Sequence, residues 1–331
     1  MLGAWLALLA AATFAFSNVS ARRGVIQGTV LQGIAITVPI GVPLFLAGAL
    51  VSGAWDAIFE FSLWQILSLA AAGICHFALA RYCSYRAIRL MGSNLAAPVQ
   101  RLSLPVSLAL ALWLLDEYLT PLSAIGVVLV ISGPAVMLFG QNATRKKPKP
   151  SSTGDEAFEP RYAEGYFFAF LSALGYGVSP LFVRAALAGA DIPTAIAGGV
   201  WSYLAASLLL APAFLSRSTR RTIFTIRGET AKWFGYSGLA TGTSQMIRYM
   251  ALALAPVTVV SSIMVSSMVF RYLLSALINR NHEVFGFWVI AGIAITALGS
   301  LALTLEIAWV LSLLPPWGWL GEIAPWRWPA G

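Results

Sequence analysis

The sequence predicts an all-α integral membrane protein, with ten transmembrane helices arranged as two inverted five-helix repeats. Three observations predict it. Of 331 residues, 59% are apolar and 10% charged, against roughly 25% charged in soluble domains, which is far too little polar surface for a water-soluble fold. Apolar stretches recur at the ~20 residues that one helix needs to cross the hydrocarbon. The first five of them resemble the last five, while their positive charges fall on the opposite set of loops.

The stretches run over about 2–21, 28–51, 61–80, 95–115, 118–140, 165–183, 192–215, 233–253, 256–278 and 284–305. They are helices because a backbone in lipid must satisfy its own hydrogen bonds, and none shows the alternation of an outer-membrane strand. The first is expected to be a mature helix rather than a secretory signal. No basic residue precedes its apolar run, and Thr13, Ser17 and Asn18 interrupt it. Residues 141–164 are polar almost throughout and form a linker between the two halves, 1–140 and 165–306. The tail, 307–331, interleaves Trp309, Trp317, Trp319, Trp326 and Trp328 with prolines. It is too broken to span, and its indoles suit the headgroup level.

The repeat rests on ordered matches. Gly3, Ala7, Leu9, Ala11, Ser17 and Arg22 fall on Gly165, Ala169, Leu171, Ala173, Ser179 and Arg184 at one offset of 162 residues. Glu117, Gly126 and Gly133 fall on Glu283, Gly292 and Gly299 at an offset of 166, and Arg81-Tyr82 falls on Arg248-Tyr249. An odd number of helices per unit forces the second copy to enter upside down, so the loop charge should change sides, and it does. Basic residues follow the first, third and fifth stretches (Arg22, Arg23; Arg81, Arg86, Arg89; 145–149) and then the seventh and ninth (Arg217, Arg220, Arg221, Arg227; Arg280), with Arg184 as the main exception. The acids Asp56, Glu60, Asp116 and Glu117 lie on the other side. By the positive-inside rule the basic face is cytoplasmic, which places both termini outside. Inverted repeats of this kind are mostly those of carriers.

The Ser17-Asn18 end of the first helix, the Tyr85-x-Ala87 element after the third, and Asp116-Glu117 before a fifth helix bearing Gly126 and Gly133 resemble the EamA-type transporters of the drug/metabolite transporter superfamily. The resemblance covers about 1–305. It implies a ten-helix fold with a central cavity between the halves, lined by the first, third, fourth, sixth, eighth and ninth helices. The substrates it implies are amino acids, nucleotide sugars, phosphorylated sugars or drugs. The family keeps both termini in the cytoplasm, against the charge count here, and Arg271 stands where the match to Pro105 implies an apolar or proline position.

Candidate substrate-binding residues are Ser17, Asn18, His76, Arg101, Tyr176, Ser179 and Arg271. An arginine at mid-span costs ~2.5–3.5 kcal/mol on insertion scales and should face protein or a wet cavity. Arg101 is read as a ligand for an anion or as a cap on carbonyls freed by Pro98 and Pro105. Arg271 is read as its partner or as a side chain snorkelling to the helix end. Two converging guanidiniums would grip a carboxylate or phosphate in bidentate fashion. Arg81 and Arg248 are expected at the interface. Ser17, Asn18, Tyr176 and Ser179, near Pro180, hold either substrate or a neighbouring helix. His76 is the one proton carrier expected inside a span, or else a core residue. No carboxylate falls inside a predicted span, since Glu306 and Asp116-Glu117 are at ends, which disfavours coupling through a central acid. Gly198-Gly199, Gly126 and Gly133 are expected flexible points for rocking of the halves.

The function expected is alternating-access transport of small polar or anionic, amino-acid-like metabolites, in the plasma membrane. Export of neutral or cationic drugs is the alternative, and a membrane-embedded enzyme a weaker one. Zinc-protease, nucleophile-elbow and phosphate-loop motifs are missing, so the chain is expected not to be an enzyme. No cofactor or metal is expected; Cys75 and Cys83 lie ~12 Å apart along a helix, too far for a disulfide. The net charge of +8 is explained by orientation and not by nucleic acid. Its partners are the bilayer and a small-molecule substrate, and a homodimer is compatible with the sequence.

Overall fold

The computed structural model describes residues 2–114, 120–144, 160–187, 190–254 and 263–304. Asp116, Glu117, the basic run 145–149 with most of the linker, Glu306 and the tail lie outside the described residues, as does the side chain of Arg184. Among the described residues there are helices and no strands. They are α1 (Leu2–Gln27), α2 (Val30–Thr37), α3 (Gly41–Val51), α4 (Ala57–Glu60), α5 (Leu63–Gly73), α6 (Arg81–Met91), α7 (Ser93–Gln100), α8 (Ser103–Leu114), α9 (Pro121–Thr144), α10 (Tyr162–Leu187), α11 (Ile192–Leu210), α12 (Arg217–Phe224), α13 (Gly228–Leu254), α14 (Ser267–Ile278) and α15 (Phe287–Thr304). A π-helical segment, Ile74–Ala80, joins α5 to α6. Four segments are long and apolar enough to cross a membrane: Val30–Val51, Leu63–Met91, Tyr162–Leu187 and Ile192–Leu210. Pro121–Met137, Ser267–Ile278 and Phe287–Ala302 are shorter apolar helices.

Two predicted spans are broken where proline demands it. A proline lacks an N–H and its ring crowds the carbonyl four residues earlier. Pro105 thus disturbs the carbonyl of Arg101, and the chain tightens there into shorter-range bonds, Arg101 N–H to Pro98 O at 3.1 Å and Leu104 N–H to Arg101 O at 3.0 Å. The break between α7 and α8 follows. Pro43 acts likewise on Pro39, and α2 gives way to α3 through a turn at 38–40. Pro180 leaves α10 unbroken, and the nearby Gly177 carbonyl accepts the Ser107 hydroxyl at 2.7 Å.

Helix contacts follow membrane rules, with small residues inside and large ones towards lipid. α1 buries Ala7, Ala10, Ala11 and Ala15 and exposes Leu2, Trp5 and Leu9. It packs along α13, while α10 packs along α5, the π segment and α6. α1 also meets α14 as α10 meets α7 and α8; α13 meets α2 and α3 as α11 meets α5; α9 pairs with α15, and α3 with α11. Every contact in this set has a counterpart when the halves are exchanged. The α9–α15 seam is tight enough that a Cβ on Gly133 would strike Thr296, whose hydroxyl bonds Gly292 O at 2.8 Å. Gly133 therefore permits close approach, and Gly199 faces the Phe45 ring in the same manner.

Candidate functional site

The polar centre is built on the π segment. A π turn widens a helix and displaces side chains from their α positions, and such turns gather at functional sites. Here it presents His76, whose ring lies 4.6 Å from that of Tyr176 on α10 and 4.8 Å from Phe77. Phe77 stacks on Tyr203 of α11 at 3.8 Å and 18°. Carbonyls just before the π segment are taken by neighbouring helices, Leu69 O by the Ser202 hydroxyl at 2.9 Å and Ala72 O by that of Ser179 at 3.3 Å.

A hydrogen-bonded chain crosses between the halves above this floor. Arg271 of α14, 3% exposed, donates from Nη1 to Ser93 O and to Gln100 Oε1, each at 3.3 Å. Gln100 donates to Ser84 Oγ at 2.7 Å, and Ser84 lies beside the Tyr176 hydroxyl. Arg271 thus points into the protein and does not snorkel. Arg101 occupies the α7–α8 break and donates to Met264 O at 2.9 Å and to the Ser267 hydroxyl. The carbonyl it caps belongs to the other half of the chain, next to the turn at 265–266 that opens α14, and not to its own helix.

Arg81 and Arg248 complete the cluster, and here the structure corrects the sequence reading. Arg81 is 3% exposed and turned into the protein, and the third helix continues to Met91 instead of stopping at residue 80. It faces the rings of Phe77, Tyr85, Tyr176 and Tyr203. Arg248 lies within electrostatic reach of His76 and Arg101. Four guanidiniums, three on helices and Arg101 in the α7–α8 break, therefore share one region, two from each half. Arg81 and the Tyr203 hydroxyl lie beside one another, and Arg271 Nε is buried with no hydrogen-bond partner among the described residues. Buried donors are rarely left unmet. The carboxylate within reach of Arg271 is Glu283, and its oxygens are engaged elsewhere.

The remaining candidates serve helix contacts. The Ser17 hydroxyl bonds Ser237 O at 2.9 Å and the Thr241 hydroxyl, and joins Tyr85 through Ser237 Oγ at 3.2 and 2.9 Å. Asn18 donates to Phe14 O of its own helix at 2.7 Å. His76, Arg101, Tyr176 and Arg271 are thus brought together, while Ser17, Asn18 and Ser179 surround them.

On the basic side the site is closed by a polar knot. Arg22, expected on a loop, is 2% exposed and donates to Ile88 O at 2.7 Å, Arg89 O at 3.0 Å and His282 O, with Glu283 Oε1 3.8 Å from its Nε. Glu283 accepts the Ser93 hydroxyl at 2.6 Å and the first N–H groups of α7, Ser93 at 2.7 Å and Asn94 at 3.1 Å. An anion at a helix N-terminus is favourable. Burial lifts the Glu283 carboxyl above its ordinary range, against the pull of Arg22 and of these donors. Gly92 makes the contact possible. Its φ is +86°, and a Cβ there would run into Glu283 Oε2.

Chemically, the centre gathers guanidinium groups, which suit anions, and aromatic rings, which suit flat apolar groups. No group of three metal-ligating side chains occurs among the described residues. A crystal structure of a protein 18% identical in sequence aligns with a TM-score of 0.54 over 95% of this chain and 98% of that one, a likeness of fold alone. No curated protein matches the sequence. Residues 1–139 match the EamA-like transporter family, and the apolar helices agree with it. Over that first part the chain is similar to EamA-like transporters, and its long apolar helices are of the kind that integral membrane proteins carry.

Proposed function

We propose that the protein moves small polar or anionic organic metabolites, amino-acid-like in size, across the plasma membrane by alternating access. Its frame would be ten transmembrane helices in two inverted five-helix repeats, with the arginine-rich centre between them. The observation that carries this reading is the pair of buried arginines, Arg81 from the first half and Arg271 from the second, with Arg271 Nε left without a hydrogen-bond partner among the described residues. Tyr176 lies within electrostatic reach of both. A carboxylate or phosphate supplies the missing acceptor and offsets charge that no described carboxylate at the centre neutralises. The matched exchange of helix contacts supports the repeat, as does the family match ending at residue 139. Opening towards the basic side would require α1 to part from the 280–283 segment, breaking the Arg22 knot.

Solute counterflow with purified protein in liposomes tests this, using labelled amino acids, organic acids and neutral or cationic drugs, with Arg101→Ala and Arg271→Ala alongside. Carboxylate counterflow that both variants weaken is expected. The stacked rings of His76, Phe77, Tyr176 and Tyr203 favour one second reading, a neutral aromatic solute. Movement of such compounds alone, indifferent to both substitutions, would replace the anion reading.

A further inference from the structure

The outer face of α6 carries a second basic site, separate from the centre. Leu79, Tyr82, Arg86 and Arg89 follow one another at helical spacing on the side opposite Arg81, Ser84 and Tyr85. Tyr82, Arg86, Arg89 and Leu90 line a pocket of about 380 Å³ together with residues 29–31 at the start of α2 and Arg161 and Glu164 at the start of α10, and Leu79 of the π segment lies just outside it in sequence. Its walls are fixed relative to one another, since Arg161 N–H bonds Leu90 O at 2.9 Å and the Arg86 guanidinium sits 4.8 Å from the Phe168 ring centre. Three arginines line it against one carboxylate, Glu164, which takes Arg86 at 2.9 Å and Arg161 at 2.6 Å. Arg89 has no ion pair among the described residues, and Arg86 Nε is buried without a hydrogen-bond partner. The charge balance leaves two cations in excess.

The pocket also opens onto lipid. Val30, Leu31 and Leu90 form its apolar wall, and Leu79 and Phe167, each three residues along the chain from a lining residue, are exposed. It sits on the basic side, where charge at helix ends meets headgroups. We propose that this pocket binds the phosphate of an anionic membrane lipid, with Arg89 and Arg86 on the phosphate oxygens and the acyl chains along Leu79. A free phosphate would meet the same arginines but gain nothing from the apolar wall. Glu164 limits the affinity, because it competes for Arg86 and Arg161.

The test is native mass spectrometry of the full-length protein released from nanodiscs of phosphatidylglycerol and phosphatidylcholine. The wild type is expected to retain phosphatidylglycerol in preference. Arg89→Gln should lower that retention about fivefold, the equivalent of ~1 kcal/mol for a basic residue at an anionic surface. Glu164→Gln should raise it, an opposite sign that general loss of structure would not produce, and thermal unfolding of both variants checks folding. Equal retention of the two lipids, or retention unchanged in both variants, overturns the proposal. So does inorganic phosphate displacing the lipid at concentrations where chloride does not, which would make the pocket a site for free phosphate.

Discussion

Arg271 and Gln100 meet at 3.3 Å across the boundary between the two halves, guanidinium to amide oxygen. The contact fixes which face of Arg271 is spent on protein and which is left over: Nη1 is engaged by Gln100 and Ser93, while Nε has no partner. Arg271→Ala should therefore leave folding intact while weakening half-saturation by an anionic solute roughly 10- to 100-fold, the ~1.5–3 kcal/mol of a charged hydrogen bond. Arg271→Lys should recover only part of this, since an ammonium has the charge without the fork. Equal counterflow by wild type and Arg271→Ala would remove Arg271 from the site.

Glu283 is expected to matter for stability more than for transport. Glu283→Ala leaves Arg22 buried beside no carboxylate and uncaps α7, at a cost of ~3–5 kcal/mol. Glu283→Gln keeps an acceptor for Ser93 and should fall between. Thermal unfolding in detergent measures both. A midpoint for Glu283→Ala equal to the wild type would mean that the Arg22 carbonyl contacts suffice alone.

Gly92→Ala should be destabilising for two reasons that add. A side chain in the left-handed region costs ~1–2 kcal/mol, and this one displaces the Glu283 carboxylate. A second change, Glu283→Ser, removes the collision but also the carboxylate beside Arg22 and the cap of α7, so the double variant should stay well below the wild type. Full recovery would show that the backbone angle is immaterial.

Ser17 and Ser237 lie with hydroxyl oxygens 3.2 Å apart on α1 and α13. In a background of Cys75→Ser and Cys83→Ser, the pair Ser17→Cys and Ser237→Cys should form a disulfide under mild oxidation, because side chains this close satisfy its geometry. Cleavage within the linker followed by non-reducing electrophoresis reads the result. Halves that separate without reductant would refute the α1–α13 contact.

How much of this was legible in the sequence depended on how local the cause is. Arg101 and Arg271 stand out as charges in apolar runs, and the α7–α8 break follows from Pro105. Arg81 and Arg248 were misplaced because the apolar stretch of the third helix fades at residue 80, whereas the helix itself continues through the polar face of α6 to Met91. Hydropathy marks where lipid contact ends and says little about where backbone hydrogen bonding ends. Their one sequence signal was the match of Arg81-Tyr82 to Arg248-Tyr249. Glu283 capping Ser93 joins residues 190 apart, and no local pattern announces it. The π segment was equally invisible, since its residues are those of any apolar helix.

The longest contacts of α1 and α10 are with helices of the other half. During synthesis, the first half therefore enters the bilayer with the alanine face of α1 open to lipid and must wait for α13 to be translated. Assembly is gated by completion of the chain, and a product ending in the linker has no partner for its most finely matched surface. Such a fragment is a natural substrate for membrane quality control. The two halves supplied as separate polypeptides have the surfaces needed to find one another.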